Sequence, residues 1–80
     1  MRLDKYLKVS RIIKRRTVAN EACDAGRVEI NGKVAKASQD VKIGDKVAIR
    51  FGEKTMAFEI LDVKENVRKE ETAAMYRVVE

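Results

Sequence analysis

The 80-residue chain has room for one domain with one modest core, because chains of this size bury only about 60% of their unfolded surface. Its hydrophobic content of 45% permits folding, and its four aromatic residues leave most of the core to aliphatic side chains. The lone Cys23 and the absence of histidine argue against a disulfide, a structural zinc site or any other cofactor. No apolar run approaches the roughly 20 residues of a membrane helix, so we expect a cytoplasmic protein without membrane contact.

The formal charge of +5 is concentrated at the N-terminus. Residues 1–16 contain seven cations and one carboxylate, a net charge of +6, so the other 64 residues together carry −1. Such a local excess of positive charge predicts a polyanionic partner. The candidate residues for binding such a partner are these seven cations: Arg2, Lys5, Lys8, Arg11, Lys14, Arg15 and Arg16.

The first predicted element is a helix over residues 2–9. Leu3, Tyr6 and Leu7 recur at the spacing i, i+3, i+4, which places them on one helical face, and the first three cations fall on another. Asp4 is expected to be structural, either orienting Arg2 or capping the helix. Residues 10–14 break the period and are predicted to form a connection whose isoleucines enter the core.

A second helix is predicted to begin near residues 15–17 and to end at Gly26, because a glycine often closes a helix in the left-handed conformation. Small side chains would let the two helices approach closely. The predicted apolar line of this helix consists of Val18, Ala22 and Ala25, flanked by Ala19 and Cys23.

The start of this second helix carries Lys14, Arg15 and Arg16, although a helix N-terminus favours negative charge. A bound phosphate would relieve this local cost. We therefore expect Arg16 to be an exposed cation with little role in stability and to be the strongest single RNA contact.

Beyond Gly26 the apolar period changes to two, which is typical of strands. Asn31-Gly32 predicts a tight hairpin with a type I′ turn, and further strands are expected over 46–51 and 56–63. Val41 and Ile43 are predicted to point inward. The charged residues 64–71 suggest an exposed linker or irregular helix, and residues 72–80 fit either a helical turn or a short strand. Together these elements predict an α+β fold with two N-terminal helices on a small, mostly antiparallel sheet.

Several short motifs follow one another in a specific order and spacing over residues 2 to about 51. They are Arg2-Leu3-Asp4-x-x-Leu7, Arg15-Arg16, Ala19, Gly26-x-Val28-x-Ile30-Asn31-Gly32-x-Val34 and Gly44-Asp45-x-Val47. Each motif is weak alone, but together they resemble the S4 RNA-binding domain. The resemblance implies a domain over residues 1–63, followed by a charged C-terminal extension over residues 64–80.

In that family two helices and the adjoining turn form a positive surface that reads folded RNA by its shape and backbone, while the sheet gives support. The resemblance places Arg2, Lys5, Arg11, Arg15 and Arg16 on this surface. A-form RNA hides its base edges in a deep groove, so a small protein gains most by matching phosphate positions with fixed cations.

Within the family, the chain is most similar to stand-alone factors of bacterial ribosome-associated quality control. That similarity implies binding to an obstructed large ribosomal subunit, with contacts to large-subunit rRNA and to peptidyl-tRNA. It also implies a partner of the NEMF family, which adds C-terminal alanine tails to stalled nascent chains. The chain would then be ribosome-associated and would not be an enzyme.

Two other functions fit the residues less well. The heat-shock protein fifteen family resembles the helical part but carries a long basic C-terminal extension, whereas residues 53–80 here contain five cations and seven carboxylates. A protein adaptor could use the basic face on an acidic partner, with Glu70, Glu71 and Tyr76 meeting a protein. An enzyme is disfavoured, because without histidine the hydroxyl groups of Tyr6, Ser10 and Thr17 lack an evident base.

Overall fold

Two short helices open the structure, a computed structural model that describes residues 1–79. Helix α1 spans Leu3–Val9 and helix α2 spans Arg16–Asp24. Leu3, Tyr6 and Leu7 are fully buried on one face of α1, which confirms the face predicted from their spacing. In the connection, Ile13 enters the core and Ile12 packs partly against it.

The buried face of α2 differs from the predicted one. Ala19 and Cys23 are buried, whereas Val18 is 45% exposed and Ala25 is also exposed. Small and medium apolar side chains occur on two neighbouring faces of α2, so the sequence permits either face to be buried. The face that packs on the core is the one with Ala19 and Cys23. Cys23 is thus a core residue, as expected of a thiol among small apolar side chains.

The two predicted turns around the first hairpin are confirmed. Gly26 ends α2 with a φ of 72°, in the left-handed region that glycine adopts readily. Strands β1 (Val28–Ile30) and β2 (Lys33–Val34) then pair antiparallel across Asn31 and Gly32, whose φ angles of 52° and 84° are those of a type I′ turn.

The sheet is completed by β3 (Lys46–Phe51), β4 (Lys54–Ile60) and β5 (Tyr76–Val79), with a 3₁₀ helix (Lys69–Ala74) before the last strand. Its order is β2-β1-β3-β4-β5 and every neighbouring pair is antiparallel, so the α+β prediction is confirmed. The predicted strand 56–63 begins two residues earlier and ends at Ile60. Val41 is buried as expected, but Ile43 is 66% exposed, because the segment before β3 is a loop without strand alternation.

The C-terminal segment combines both predicted conformations, since a 3₁₀ helix is followed by an edge strand. Met75, between them, is buried, and its carbonyl oxygen accepts hydrogen bonds from the Tyr6 hydroxyl at 2.8 Å and from the Leu61 N–H at 2.8 Å. Tyr76 packs edge-to-face on Phe58 with ring centroids 5.5 Å apart. The segment therefore ties α1 to the sheet, while the predicted division at residue 63 stays a prediction. Residue 80 lies outside the described residues.

Among the helices within residues 1–79, none is both long enough and apolar enough to cross a bilayer.

Candidate nucleic-acid interface

Asp4 is the centre of the basic surface. It lies in the first turn of α1, where its side chain is only 3% exposed, and its two oxygens accept hydrogen bonds from three side chains. Arg2 donates from Nε at 3.2 Å and from Nη2 at 3.3 Å, Arg16 donates from Nη2 at 3.4 Å, and Asn20 donates from Nδ2 at 3.3 Å. The backbone N–H of Lys5 adds a fifth bond at 2.8 Å. One carboxylate thus fixes two guanidinium groups from separate helices.

The carboxylate of Asp4 stays ionised because its donors outweigh its burial. Burial alone would raise its pKa, but the hydrogen bonds from Asn20, Arg16 and the Lys5 backbone, together with the charge of Arg16, hold the pKa below the ordinary value. The prediction that Asp4 orients Arg2 is confirmed. Asp4 is not the N-cap residue of α1, which is Arg2, but its carboxylate does accept a hydrogen bond from the backbone N–H of Lys5 in the first turn.

The backbone of Arg2 and of the two residues after it is also held by hydrogen bonds. The N–H groups of Leu3 and Asp4 donate to the carbonyl oxygens of Gln39 at 2.8 Å and Ala37 at 3.1 Å, and Arg2 forms an isolated β-bridge with Asp40. The Arg2 side chain is nevertheless 49% exposed. The backbone of Arg2 and one edge of its guanidinium are thus held by hydrogen bonds, while the side chain stays accessible to solvent. Such a guanidinium is suited to bidentate contact with a phosphate.

Arg16 occupies the predicted position in the first turn of α2, but it has an ion-pair partner that the sequence does not suggest. Its guanidinium bonds the buried Asp4, and its side chain is 45% exposed. The pairing was not predicted because the two residues lie twelve positions apart and meet only when α1 packs on α2.

Lys5 is neutralised by a residue that the sequence does not connect with it. Its Nζ forms an ion pair with Glu65, which lies in the segment between β4 and the 3₁₀ helix. The hydrogen bond and the charge of Lys5 lower the pKa of Glu65. Within residues 1–79, Lys5 is therefore the one candidate cation whose charge is partly cancelled by a carboxylate outside the N-terminal segment.

Lys8, Arg11 and Lys14 lie together around a cleft of about 650 Å³, facing Lys69 at the start of the 3₁₀ helix. Within residues 1–79 none of these four cations forms an ion pair. A smaller cleft of about 560 Å³ continues from Lys8 to Arg16. The structure thus brings six of the seven candidates onto one surface, in two groups.

Arg15 is the seventh candidate and stands apart. It is the N-cap residue of α2, is exposed and lines neither cleft. No side chain in the described part of the chain pairs with it. Its RNA contact stays a prediction, as does that of the other six.

Arg11 has a strained backbone, with a φ of 63° in the left-handed region. It closes α1 by donating its N–H to the carbonyl oxygen of Lys8 at 3.0 Å, and the next turn is set by a bond from the Ile13 N–H to the Leu7 oxygen at 3.0 Å. A residue with a Cβ pays about 1 kcal/mol or more for this conformation. With this backbone conformation the chain turns from α1 towards α2 beside the larger cleft, which Arg11 lines.

The surface offers no evident reactive group. Cys23 is buried, and burial together with the charges of Asp4 and Asp24 raises the pKa of its thiol to about 11. The arrangement among residues 1–79 can bind anions by charge and by oriented guanidinium forks.

The sequence interpretation missed three polar residues of this surface. The sequence does not suggest Asn20 as a partner of Asp4, and Asn66 and Lys69 fall in the segment predicted to be an exposed linker or irregular helix. For Asn20 a signal existed, since a polar residue one helical turn beyond Arg16 lies on the same face. Asn66 and Lys69 reach the cleft only because Tyr6 and Met75 dock the C-terminal segment on α1.

Comparisons with known proteins identify relatives of this chain. Residues 1–47 match the family model described as the S4 domain. A protein of Halalkalibacterium halodurans named "RQC P-site tRNA stabilizing factor" is 60% identical over 98% of this chain and 89% of its own length. The "Heat shock protein 15 homolog" of Haemophilus influenzae is 31% identical over 85% of this chain but only 52% of its own length. The trimeric structure of Vibrio cholerae Heat Shock Protein 15 superimposes with a TM-score of 0.91 at 32% identity, covering 99% of this chain and 81% of that one.

Proposed function

Because the chain belongs to the S4 domain family and to the RQC P-site tRNA stabilizing factors, we propose that it is a non-enzymatic RNA-binding factor of ribosome-associated quality control. It binds a large ribosomal subunit obstructed by a nascent chain and contacts both large-subunit rRNA and peptidyl-tRNA. There it supports alanine tailing by a NEMF-family factor. This activity would keep the protein in the cytoplasm, on ribosomes.

The observation that carries the proposal is the pair of arginines held by Asp4. Arg2 and Arg16 are each about half exposed while their guanidinium groups bond one buried carboxylate. A free arginine side chain can lose about 2 kcal/mol of rotamer entropy when it binds a ligand. Arg2 and Arg16 should lose less, because their hydrogen bonds to Asp4 already restrict them. Two guanidinium groups oriented by one carboxylate can therefore each contact a phosphate of folded RNA.

The remaining cations supply attraction that does not depend on geometry. With Lys5 paired to Glu65, and Arg2 and Arg16 paired to Asp4, four candidate cations have no ion-pair partner within residues 1–79: Lys8, Arg11, Lys14 and Arg15. We expect about four to six phosphate contacts, each of which reduces the slope of log affinity against log salt by about 0.7 to 0.9. Binding to RNA should thus weaken steeply as salt rises.

Co-sedimentation with purified ribosomal subunits tests the proposal. The protein should pellet with large subunits carrying peptidyl-tRNA more than with small subunits, and Arg2→Ala should weaken pelleting about tenfold. Lys54→Ala is the matched control, because Lys54 is exposed, lies outside both clefts and likewise loses one positive charge. Equal pelleting with both subunits, or equal effects of the two variants, would contradict the proposal.

The second candidate function is recycling of large subunits as by heat-shock proteins of this fold. The structural likeness favours it, but this chain covers only about half of the Haemophilus heat-shock homologue. A reconstituted tailing reaction with the NEMF-family factor distinguishes the two. Alanine incorporation on obstructed subunits should rise when the wild-type protein is added and should not rise with Arg2→Ala.

The adaptor alternative predicts a different result. If an acidic protein were the partner, ribonuclease treatment of the subunits would leave binding unchanged. We expect ribonuclease to abolish it. Tyr76, which could have served an adaptor, is packed on Phe58 and half-buried.

A further inference from the structure

The larger cleft joins two parts of the chain that are far apart in sequence. One wall consists of the end of α1 and the connection to α2, contributing Lys8, Arg11 and Lys14. The other wall is the C-terminal segment, contributing Asn66 and Lys69. Residues 1–47 match the S4 domain model, so this second wall lies outside the matched region.

Positive charge dominates the cleft. Lys8, Arg11, Lys14 and Lys69 line it without an ion-pair partner in the described chain. Its one carboxylate, that of Glu65, is occupied by Lys5. Concave walls concentrate the field of unpaired charges, so a cleft of this kind attracts an anion more strongly than a flat lysine surface does.

The cleft also has features that a phosphate alone would not require. Val9 and Val67 line it and are partly buried against the core, and Asn66 presents an exposed amide that can donate and accept hydrogen bonds. A cationic rim, an apolar floor and an amide match the three parts of a nucleotide: its phosphates, the face of its base and the polar edge of its base. The volume of about 650 Å³ is in the usual range for small-ligand sites.

Continuity with the arginine pair identifies the source of the nucleotide. The adjoining cleft shares Lys8, Val9, Glu65 and Asn66 with the larger one and ends at Arg16. A strand whose phosphates contact Arg16 could therefore pass along Lys8 and place its next nucleotides in the larger cleft. A base inside a duplex cannot enter, because it is stacked and paired, whereas an unpaired base can be turned outward.

We propose that the cleft between α1 and the C-terminal segment receives one unpaired nucleotide of the RNA. Its phosphates lie among Lys8, Arg11, Lys14 and Lys69, and its base rests on Val9 and Val67 beside Asn66. This rests on the proposed function, to which it adds a recognised RNA feature and a role for the C-terminal segment. Arg11 would aim its side chain at the same phosphates from its left-handed backbone.

The test uses three fluorescent RNA hairpins with the same stem: fully paired, with one bulged nucleotide, and with an abasic residue at the bulge. The abasic hairpin keeps the phosphate and the flexibility but lacks the base. Wild-type protein should bind the bulged hairpin about three- to tenfold more tightly than the abasic one. The affinities for the abasic hairpin and the fully paired hairpin should differ by a smaller factor.

Two variants separate the parts of the site. Asn66→Ala, at an exposed position, should reduce the preference for the base over the abasic residue while leaving the melting temperature unchanged. Lys69→Ala should weaken binding of both bulged hairpins about threefold, and Lys54→Ala should have a smaller effect. Val67→Ala, measured together with its melting curve, checks the floor of the cleft.

Equal affinity for the bulged and abasic hairpins would overturn the inference, as would displacement of the RNA by micromolar adenosine monophosphate, which would show a site for free nucleotides. The proposed function fails separately. If wild-type protein bound neither hairpins nor ribosomes, or bound ribosomes independently of Arg2, the RNA-binding role itself would be wrong. Ribosome binding that depends on Arg2 but shows no base preference would remove only the cleft assignment.

Discussion

The two groups of cations on the basic surface are held in different ways. Arg2 and Arg16 share the buried carboxylate of Asp4, and each can still offer solvent-facing N–H groups. Lys8 and Lys14, about the larger cleft, have no ion-pair partner among residues 1–79 and are exposed. The first group is ordered before RNA arrives, and the second can adapt to it.

This difference separates two contributions to RNA binding. Fixed guanidinium forks reward a particular spacing of phosphates, since a misplaced phosphate loses its hydrogen bonds. Flexible ammonium groups act as point charges that attract any polyanion and weaken with salt. We therefore expect specificity for RNA shape to depend on Arg2 and Arg16, which Asp4 holds. Sensitivity to salt should depend on Lys8 and Lys14 at the larger cleft.

Replacing Asp4 should have the largest effect on stability, together with an effect on binding. Asp4→Asn makes the net charge more positive, which by attraction alone would strengthen RNA binding. We expect about tenfold weaker binding instead, because Arg2 and Arg16 lose their common anchor. The free energy of unfolding should also fall by about 1 to 3 kcal/mol, since buried polar contacts are lost. RNA titrations and urea denaturation measure both, and tighter binding by a stable variant would contradict the comparison.

The pH dependence of stability gives a second measure of Asp4. Its pKa in the folded protein lies below the ordinary value of 3.8, so ionised Asp4 stabilises the fold at higher pH. This contribution is lost as the pH falls below 3.8 and through the lower pKa of the folded state. The stability gap between wild type and Asp4→Asn should therefore shrink between neutral pH and about pH 2 in urea denaturation. A gap that stays constant would show that the charge of Asp4 contributes little.

Replacing Arg16 should mainly affect binding. Arg16→Ala should weaken RNA binding about ten- to a hundredfold, because a charge-assisted and bidentate phosphate contact is lost. Stability should fall by only about 0.5 to 1 kcal/mol, because Asp4 keeps Arg2 and Asn20 as donors and the Arg16 contact is half exposed. Arg16→Lys serves as the control for charge and should restore binding only in part. Full restoration by lysine would mean that geometry is unimportant in this group.

Arg11 separates backbone strain from side-chain charge. Arg11→Ala and Arg11→Gly remove the same cation and should weaken RNA binding equally, by about three- to tenfold. They should differ in stability, with the glycine variant about 1 kcal/mol more stable, because glycine adopts the φ of 63° without a Cβ clash. Thermal melting of the pair reports the strain. Equal melting temperatures would show that the position is not strained.

Replacing Lys14 should have the smallest effect. Lys14→Ala should weaken binding about threefold and reduce the magnitude of the salt slope by about 0.7 to 0.9, without a change in melting temperature. Lys54→Ala again provides a control of equal charge. A larger loss of affinity for Lys14→Ala than for Arg16→Ala would reverse the roles assigned to the two groups.

The sequence by itself determined the local features of this protein. The spacing of Leu3, Tyr6 and Leu7 set the buried face of α1, and Asn31-Gly32 set the type I′ turn. The surplus of charge in residues 1–16 and the order of the family motifs indicated the α+β fold and the basic surface. Such features depend on a few neighbouring residues, so periodicity and turn chemistry suffice to find them.

Only the tertiary structure decided which partners the candidate cations have. Ala19 and Cys23 form the face of α2 that packs on the core. This packing places Arg16 and Asn20 next to Asp4, from which they are twelve and sixteen residues away in sequence. The tertiary structure also placed Glu65 on Lys5 from sixty residues away and Lys69 opposite Lys14. These pairings arise from the docking of helices and of the C-terminal segment. Charge counting cannot reveal them, because a cation held by a buried carboxylate and a free cation look alike in sequence.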